Sequence, residues 1–218
     1  MLIFDCNGVL VDSEAIAATV ASQELTRAGF KVSPEIVSRF FAGRRPTDMV
    51  ADIEAATKRK LPADFSEHLT EATIRQLRAE LRATPHMEYA LTWLRGPKCV
   101  ASSSPHTRVQ MSLESTGLHR FFEPHVFSAS DVRQGKPSPD LFLFAARSMG
   151  VTPSECIVVE DSPAGISAAT AAGMTSIGFI GGSHTGPNLG AYLTSAGARV
   201  VIADMRALKS TVIALRGW

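Results

Sequence analysis

Cysteine is scarce in this chain, and so is an excess of charge of either sign. Only three cysteines, Cys6, Cys99 and Cys156, occur among 218 residues, and each lies in or beside a short apolar run. An odd, small number in apolar surroundings predicts buried free thiols rather than a disulfide framework or a metal–thiolate site. Lysine plus arginine total 22 and aspartate plus glutamate 21, so no overall field favours nucleic acid or an anionic membrane as a partner.

Long apolar runs are also absent, and no stretch has the length that a membrane span requires. The residues that precede Asp5 contain neither the basic region nor the cleavage site of a secretion signal, so we expect a cytoplasmic protein. With 45% hydrophobic and 20% charged residues, the composition is that of an ordinary folded protein. A chain of this length can form one large domain, or a core with a smaller insertion.

From about residue 86 onward, apolar strand-like runs alternate with helical stretches. Runs such as 126–127, 157–159 and 200–202 are apolar on both faces, which is typical of parallel strands covered by helices. Residues between about 15 and 83 break this alternation, because they contain long helical patterns and no convincing strand. We therefore expect an α/β fold: a Rossmann-like, doubly wound parallel sheet core with an inserted all-α helical domain. The predicted boundaries are 1–14 and 84–218 for the core and 15–83 for the insertion.

Polar side chains follow several of the apolar runs, at the strand ends where open parallel sheets bind ligands. Phosphoryl transfer needs a nucleophile, a cation to offset negative charge, and fixed hydrogen-bond donors. Asp5 can attack phosphorus, Lys136 can offset charge, and the Ser102 hydroxyl can donate a hydrogen bond. Glu160 and Asp161, together with Asp5, offer the hard oxygen ligands that Mg²⁺ prefers.

In this order, four stretches of the chain resemble the motifs of the haloacid dehalogenase superfamily; they span 5–13, 100–104, 135–140 and 159–165. They are most similar to its phosphatases and phosphomutases with a helical cap after the first motif, the group that contains phosphoglycolate phosphatase, β-phosphoglucomutase and 6-phosphogluconate phosphatase. The resemblance covers almost the whole chain. It implies a Mg²⁺-dependent phosphatase that acts on a small phosphorylated metabolite.

Carried over by motif, the resemblance assigns a role to each candidate residue. Asp5 would be the nucleophile that becomes an aspartyl phosphate, and Ser102 and Lys136 would hold the phosphoryl oxygens. Asp161 would bind Mg²⁺ directly, and Glu160 would support the metal.

One position departs from the family pattern. Two residues after the nucleophile the family usually has an aspartate, whose backbone carbonyl binds the metal and whose side chain moves a proton; here that residue is Asn7. Asparagine keeps the carbonyl but cannot exchange a proton, so both half-reactions should slow. Three interpretations stay open: a substitution made to trap substrate, a natural divergence to a weak or altered enzyme, and a non-catalytic sugar-phosphate binder.

The insertion contains the turn Gly43-Arg44-Arg45, at the place where the family reads the part of the substrate that does not react. Arginines suit a second anionic group, because their forked donors match a carboxylate or phosphate. Ser103, beside Ser102, is a further candidate for substrate contact. We interpret His106 and His184 as surface or supporting residues.

Neighbouring reactions of the superfamily remain to be weighed against hydrolysis. A phosphomutase differs only in returning the phosphoryl group to a sugar, and the sequence does not separate it from a phosphatase. A dehalogenase needs no Mg²⁺. The two acids Glu160 and Asp161 are suited to a metal and therefore argue against a dehalogenase. Phosphonate hydrolysis requires a cap lysine that forms a Schiff base, and nothing marks Lys58 or Lys60 for that role.

Overall fold

The computed structural model of the protein describes residues 1–41 and 46–217, apart from the side chain of Arg39. The chain divides into two compact units: one combines Met1–Asp12 with the chain from Arg82 onward, and the other is Ser13–Leu81. The first unit contains a β-sheet, and the described part of the second is helical. No helix in the described ranges is long and apolar enough to cross a membrane.

The strands of the sheet are β1 (Leu2–Phe4), β2 (Lys98–Ser102), β3 (Val126–Ser128), β4 (Ile157–Glu160), β5 (Thr175–Phe179) and β6 (Val200–Ile202). Within the described residues these six strands form one sheet in the order β3-β2-β1-β4-β5-β6, and every neighbouring pair is parallel. This order starts the chain at the centre of the sheet and extends it outward in both directions, as in Rossmann-like folds. The prediction of an α/β, doubly wound parallel core is therefore confirmed.

The helical unit consists of α1 (Glu14–Arg27), α2 (Pro34–Phe41), α3 (Pro46–Thr57) and α4 (Phe65–Glu80). Its core is formed by apolar side chains at helical spacing, among them Leu25 of α1 and Leu69 of α4, both buried. One buried acid, Glu24, joins the same two helices, because its Oε2 lies 3.1 Å from His68 Nε2. Apolar packing and this polar contact together hold α1 against α4.

The helices of the sheet-containing unit are α5 (Met87–Trp93), α6 (His106–Ser115), α7 (Asp140–Ser148), α8 (Pro163–Ala171), α9 (Leu189–Ala196) and α10 (Leu208–Arg216). They leave the central strands inaccessible: Ile3, Phe4, Val158 and Val159 expose none of their surface. Strands that are apolar on both faces gain most of their stability by this burial, which explains why the pattern of the sequence was readable.

The core chain leaves for the helical unit and returns from it through two segments that lie side by side. Asp12 N donates to Arg82 O at 3.0 Å, and Thr84 N donates to Leu10 O at 3.0 Å. Val11 and Ala83 form an antiparallel bridge between these contacts. The 69 residues from Ser13 to Leu81 therefore enter and leave the core at one place.

The three cysteines are free and fully buried. Burial raises the pKa of Cys99 to about 12, so its thiolate is scarce at physiological pH. The prediction of buried thiols is confirmed.

The central sheet generates a test of its core packing. Phe122 is 1% exposed, and its ring meets that of Phe4 edge-to-face with centroids 5.7 Å apart. Phe122→Ala should lower the free energy of unfolding by about 3–5 kcal/mol in urea titrations, because it removes buried area and leaves a cavity. Tyr192→Ala, at a side chain that is 60% exposed, is the control and should change it by about 0.5 kcal/mol or less. Equal losses in the two variants would contradict this packing.

Candidate active site

The carboxyl ends of β1, β2 and β4 bring several of the predicted site residues together. Asp5 follows β1, and its backbone N–H donates to Val159 O of β4 at 3.0 Å. Ser102 is the last residue of β2, and Glu160 is the last residue of β4. Because these strands are adjacent and parallel, residues that are far apart in the sequence meet at one edge of the sheet.

Lys136 is the residue that connects these strand ends. Its Nζ donates to Asp5 Oδ1 at 2.6 Å, to Glu160 Oε1 at 2.7 Å and to the backbone oxygen of Ala101 at 3.0 Å. It also lies 5.0 Å from the ring centroid of Phe142. The lysine side chain is only 4% exposed, so an ammonium group is held away from water by two carboxylates and a carbonyl.

The protonation of this cluster follows from its burial and charge. Burial alone would lower the pKa of Lys136, but the carboxylates of Asp5 and Glu160 raise it above its ordinary value. Burial raises the pKa of Asp5, and Glu160 and Asp161 add to that effect, while Lys136 opposes it. A single ammonium group faces several carboxyl groups. The site therefore has more acidic groups than basic ones, which suits it to a cation.

Glu160 is fixed by the start of α8. Its Oε2 accepts hydrogen bonds from Ser162 N at 3.0 Å and from Ser162 Oγ at 2.9 Å. Gly165 leaves the space that the carboxylate occupies, because a Cβ at residue 165 would lie 1.9 Å from Glu160 Cδ. Both oxygens of Glu160 therefore have protein partners, and the geometry suits a supporting role.

Asp161 lies against the backbone of the segment that follows Asp5. A Cβ on Gly8 would lie 1.9 Å from Asp161 Oδ2, and Gly8 has a φ of +76°, a conformation that favours glycine. The same oxygen is 3.0 Å from Nε2 of His184. Asp161 thus approaches the turn that contains both Asp5 and Asn7.

The side chain of Asn7 is held by the loop after β2. Its Nδ2 donates to Ser104 Oγ at 2.8 Å, and Ser104 N donates to Ser102 Oγ at 3.2 Å. Ser128 Oγ in turn donates to Ser104 O at 2.8 Å. Ser102 is buried and Ser103 is exposed, so the two predicted phosphate and substrate contacts differ in accessibility.

Not every predicted site residue falls in the described part of the chain. Gly43, Arg44 and Arg45 lie outside the described residues. His184 was expected to be a surface or supporting residue, and the structure brings it into contact with Asp161. Its position follows β5, at the same edge of the sheet as the other strand ends; that placement, together with the preceding Gly181-Gly182, is the signal that could have identified it.

Within residues 1–41 and 46–217, no group of three or more His, Cys, Asp and Glu side chains is arranged to hold a metal ion. The predicted metal-binding set, Asp5, Asn7, Glu160 and Asp161, contains three such acids, and the described structure does not arrange them as a metal-holding group. Of these acids, Glu160 is committed to Lys136 and Ser162.

The fold and the site can be set beside known proteins. A family model described as haloacid dehalogenase-like hydrolase matches residues 1–173. The 6-phosphogluconate phosphatase of Escherichia coli (strain K12) is 31% identical over 185 residues, which cover 84% of this chain and 84% of that protein.

Two solved structures extend the comparison to nearly the whole chain. A conserved haloacid dehalogenase-like protein from Agrobacterium tumefaciens has a TM-score of 0.91 and 40% identity, covering 99% of this chain and 98% of that one. A hydrolase from Deinococcus radiodurans, whose structure contains bound phosphate and sodium, has a TM-score of 0.84 and 30% identity, covering 98% of this chain and 94% of that one.

The lysine cluster generates a stability test in metal-free, chelator-treated buffer. Lys136→Met should lower the free energy of unfolding by about 3–5 kcal/mol at about pH 9, because buried carboxylates lose their counter-charge. The substitution should raise the pKa of Asp5 further, so the folded variant binds protons more tightly than the unfolded chain. The stability of the variant should then fall as the pH rises through that pKa. Its stability deficit relative to the unchanged chain should be smaller at about pH 6 than at about pH 9.

Urea titrations of both proteins at the two pH values measure this effect. Lys60→Met is the matched control, because Lys60 pairs with Glu54 at 2.6 Å but its side chain is 87% exposed. That variant should lose about 1 kcal/mol or less at either pH. A Lys136→Met deficit as small as the control's, or one that does not depend on pH, would contradict the assigned role of this lysine.

Proposed function

Because the chain belongs to the haloacid dehalogenase-like hydrolase family and is a phosphoric monoester hydrolase, we propose that it forms an aspartyl phosphate on Asp5. The observation that supports this assignment is the buried contact of Lys136 with Asp5 and Glu160 at the carboxyl edge of the sheet. The contact fixes one oxygen of Asp5, and we assign the other, Oδ2, to the attack on phosphorus.

In the first step, a bond forms between Asp5 Oδ2 and phosphorus while the bond from phosphorus to the alcohol oxygen breaks. The departing alkoxide then needs a proton. In the second step, water attacks the aspartyl phosphate, loses a proton, and releases inorganic phosphate and the Asp5 carboxylate. Lys136 offsets negative charge in both steps, and the Ser102 hydroxyl can donate to a phosphoryl oxygen while its oxygen accepts from Ser104 N.

The residues of the site fit Mg²⁺ by their chemistry. Asp5 and Asp161 provide carboxylate oxygens, Asn7 provides a backbone carbonyl, and the excess of acidic groups beside one lysine calls for a cation. Bound Mg²⁺ would offset the charge on the phosphoryl oxygens and favour the ionised form of Asp5. The phosphate and sodium in the Deinococcus radiodurans relative support an anion and a cation site in this fold.

We propose that Asn7 slows catalysis but does not weaken the binding of phosphate or Mg²⁺. Its amide is held by Ser104 at 2.8 Å, so the turn keeps its shape, but an amide can neither protonate an alkoxide nor accept a proton from water. The proton must then be exchanged with solvent. Substrates whose leaving group is a weak base should suffer least.

This assignment predicts the effect of Asn7→Asp on two substrates. The exchange should raise steady-state hydrolysis of 6-phosphogluconate, the substrate in the name of the Escherichia coli relative, by about 10²–10⁴-fold. The gain should be smaller for p-nitrophenyl phosphate, whose aryl oxide departs with less need of a proton. Rapid mixing of the unchanged chain with this aryl ester should show a burst of p-nitrophenol before slow turnover.

Two controls belong to this experiment. Asp5→Asn should abolish both the burst and turnover. Because an Asn-Gly pair is prone to deamidation, the intact mass must show that residue 7 is still asparagine in the unchanged chain. Equal steady-state rates for the unchanged chain and the Asn7→Asp variant would rule out the proposed role of this position. Appearance of a rearranged sugar phosphate instead of inorganic phosphate would identify a phosphomutase.

We further propose that the helical unit is a cap whose residues Gly43, Arg44 and Arg45 bind the part of the substrate that does not react. The support comes from the sequence, since these residues fall between α2 and α3 in chain order and the two arginines suit a second anionic group. Ser103, exposed beside the buried Ser102, is the proposed contact on the core.

Substitution of one arginine tests this assignment. In the Asn7→Asp background, Arg44→Ala should raise the KM for 6-phosphogluconate more than the KM for p-nitrophenyl phosphate, because only the first carries a second anionic group. Arg75→Ala on the exposed surface of α4 is the control and should leave both values unchanged. A similar rise for both substrates would assign Arg44 to the phosphate itself or to folding.

A further inference from the structure

The loop 181–187 follows β5 and places His184 near the strand ends. Ser183 anchors it, because Asp12 Oδ1 accepts from Ser183 N at 3.1 Å and from Ser183 Oγ at 2.8 Å. A Cβ on Gly181 would lie 2.3 Å from Ala203 O, so the loop passes close to the neighbouring backbone. The path of this loop is therefore fixed by a hydrogen-bonded serine and a glycine.

The imidazole of His184 occupies a space that two glycines leave for it. A Cβ on Gly8 would lie 2.9 Å from His184 Cε1, and a Cβ on Gly182 would lie 2.7 Å from the same atom. The side chains of His184 and Asp161 are 11% and 9% exposed. The ring is thus enclosed between the turn after Asp5 and its own loop.

The contact between the two side chains has a defined direction. His184 Nε2 lies 3.0 Å from Asp161 Oδ2. A carboxylate oxygen accepts hydrogen bonds, so Nε2 carries the hydrogen and donates it. The donor holds one oxygen of Asp161 and thereby orients its carboxylate.

We propose that His184 is a positioning residue that holds the Asp161 carboxylate and thereby sets the affinity of the site for Mg²⁺. This inference rests on the proposed function, in which Asp161 is a metal ligand. Carboxylates that bind metals are commonly oriented by a hydrogen bond from a neighbouring group, and loss of such a partner lowers metal affinity by about 10–100-fold. The two consecutive acids at the end of β4 would then each be held by a neighbouring side chain, Glu160 by Ser162 and Asp161 by His184.

Two substitutions separate this role from simple packing. His184→Leu keeps an apolar side chain of similar bulk but cannot donate a hydrogen bond. His184→Gln has a terminal amide that can donate from about the position of Nε2. Mg²⁺ affinity should fall by about 10–100-fold in the Leu variant and stay within about threefold of the unchanged chain in the Gln variant.

The measurement is calorimetric titration of Mg²⁺ into each full-length protein without substrate, together with the gain in Tm that Mg²⁺ produces. His68→Leu is the matched control, because it removes another histidine–carboxylate contact, 3.1 Å from Glu24, in the helical unit. Asp161→Asn is the reference for loss of the ligand itself. The proposal is supported if Mg²⁺ binding is weaker in His184→Leu, close to that of the unchanged chain in His184→Gln, and unaffected in His68→Leu.

Other outcomes overturn it, and they do so distinguishably. If His184→Leu still binds Mg²⁺ tightly while Asp161→Asn binds it weakly, the positioning role of His184 is rejected and the metal site is retained. Equal weakening in the Leu and Gln variants, with a lower Tm in the absence of Mg²⁺, would assign the ring to packing. Absence of Mg²⁺ binding by the unchanged chain would reject the metal part of the proposed function and the inference with it.

Discussion

A buried ammonium group determines how the strand ends of this protein meet. Lys136 contacts Asp5, Glu160 and the carbonyl of Ala101, which follow or belong to β1, β4 and β2. Carboxylates in a water-poor environment are unfavourable unless a counter-charge and hydrogen bonds accompany them. One lysine supplies both, so the segment that carries it is fixed to three strands at once. The site is consequently a property of the sheet as a whole rather than of any one loop.

The regular part of this architecture was readable from the sequence because it depends on local patterns. Apolar runs on both faces predicted parallel strands, and helical spacing predicted long helices between about 15 and 83, where the structure has α1 to α4. The structure also brings Lys136 into contact with Asp5 and Glu160, residues of three different motif stretches.

The contacts that the sequence did not predict all join residues distant in the chain. His184 meets Asp161 only because β5 lies beside β4 and two glycines leave room for the imidazole ring. Ser104 meets Asn7 only because β2 lies beside β1. No periodicity or spacing in the sequence contains these distances. Asn7 shows the same limit. Its chemistry follows from the residue type alone, whereas the partner that holds its amide in place is known only from the three-dimensional structure.

The antiparallel segments around Asp12 and Arg82 have a consequence for the modularity of the chain. Since Asp12 N and Arg82 O are hydrogen-bonded at 3.0 Å, everything between them is attached to the core through two adjacent segments of the chain. Insertions whose ends lie together can be exchanged with little disturbance of the host fold. The helical unit of a relative could be transplanted onto this core by matching those two segments alone, so that the two units can evolve separately.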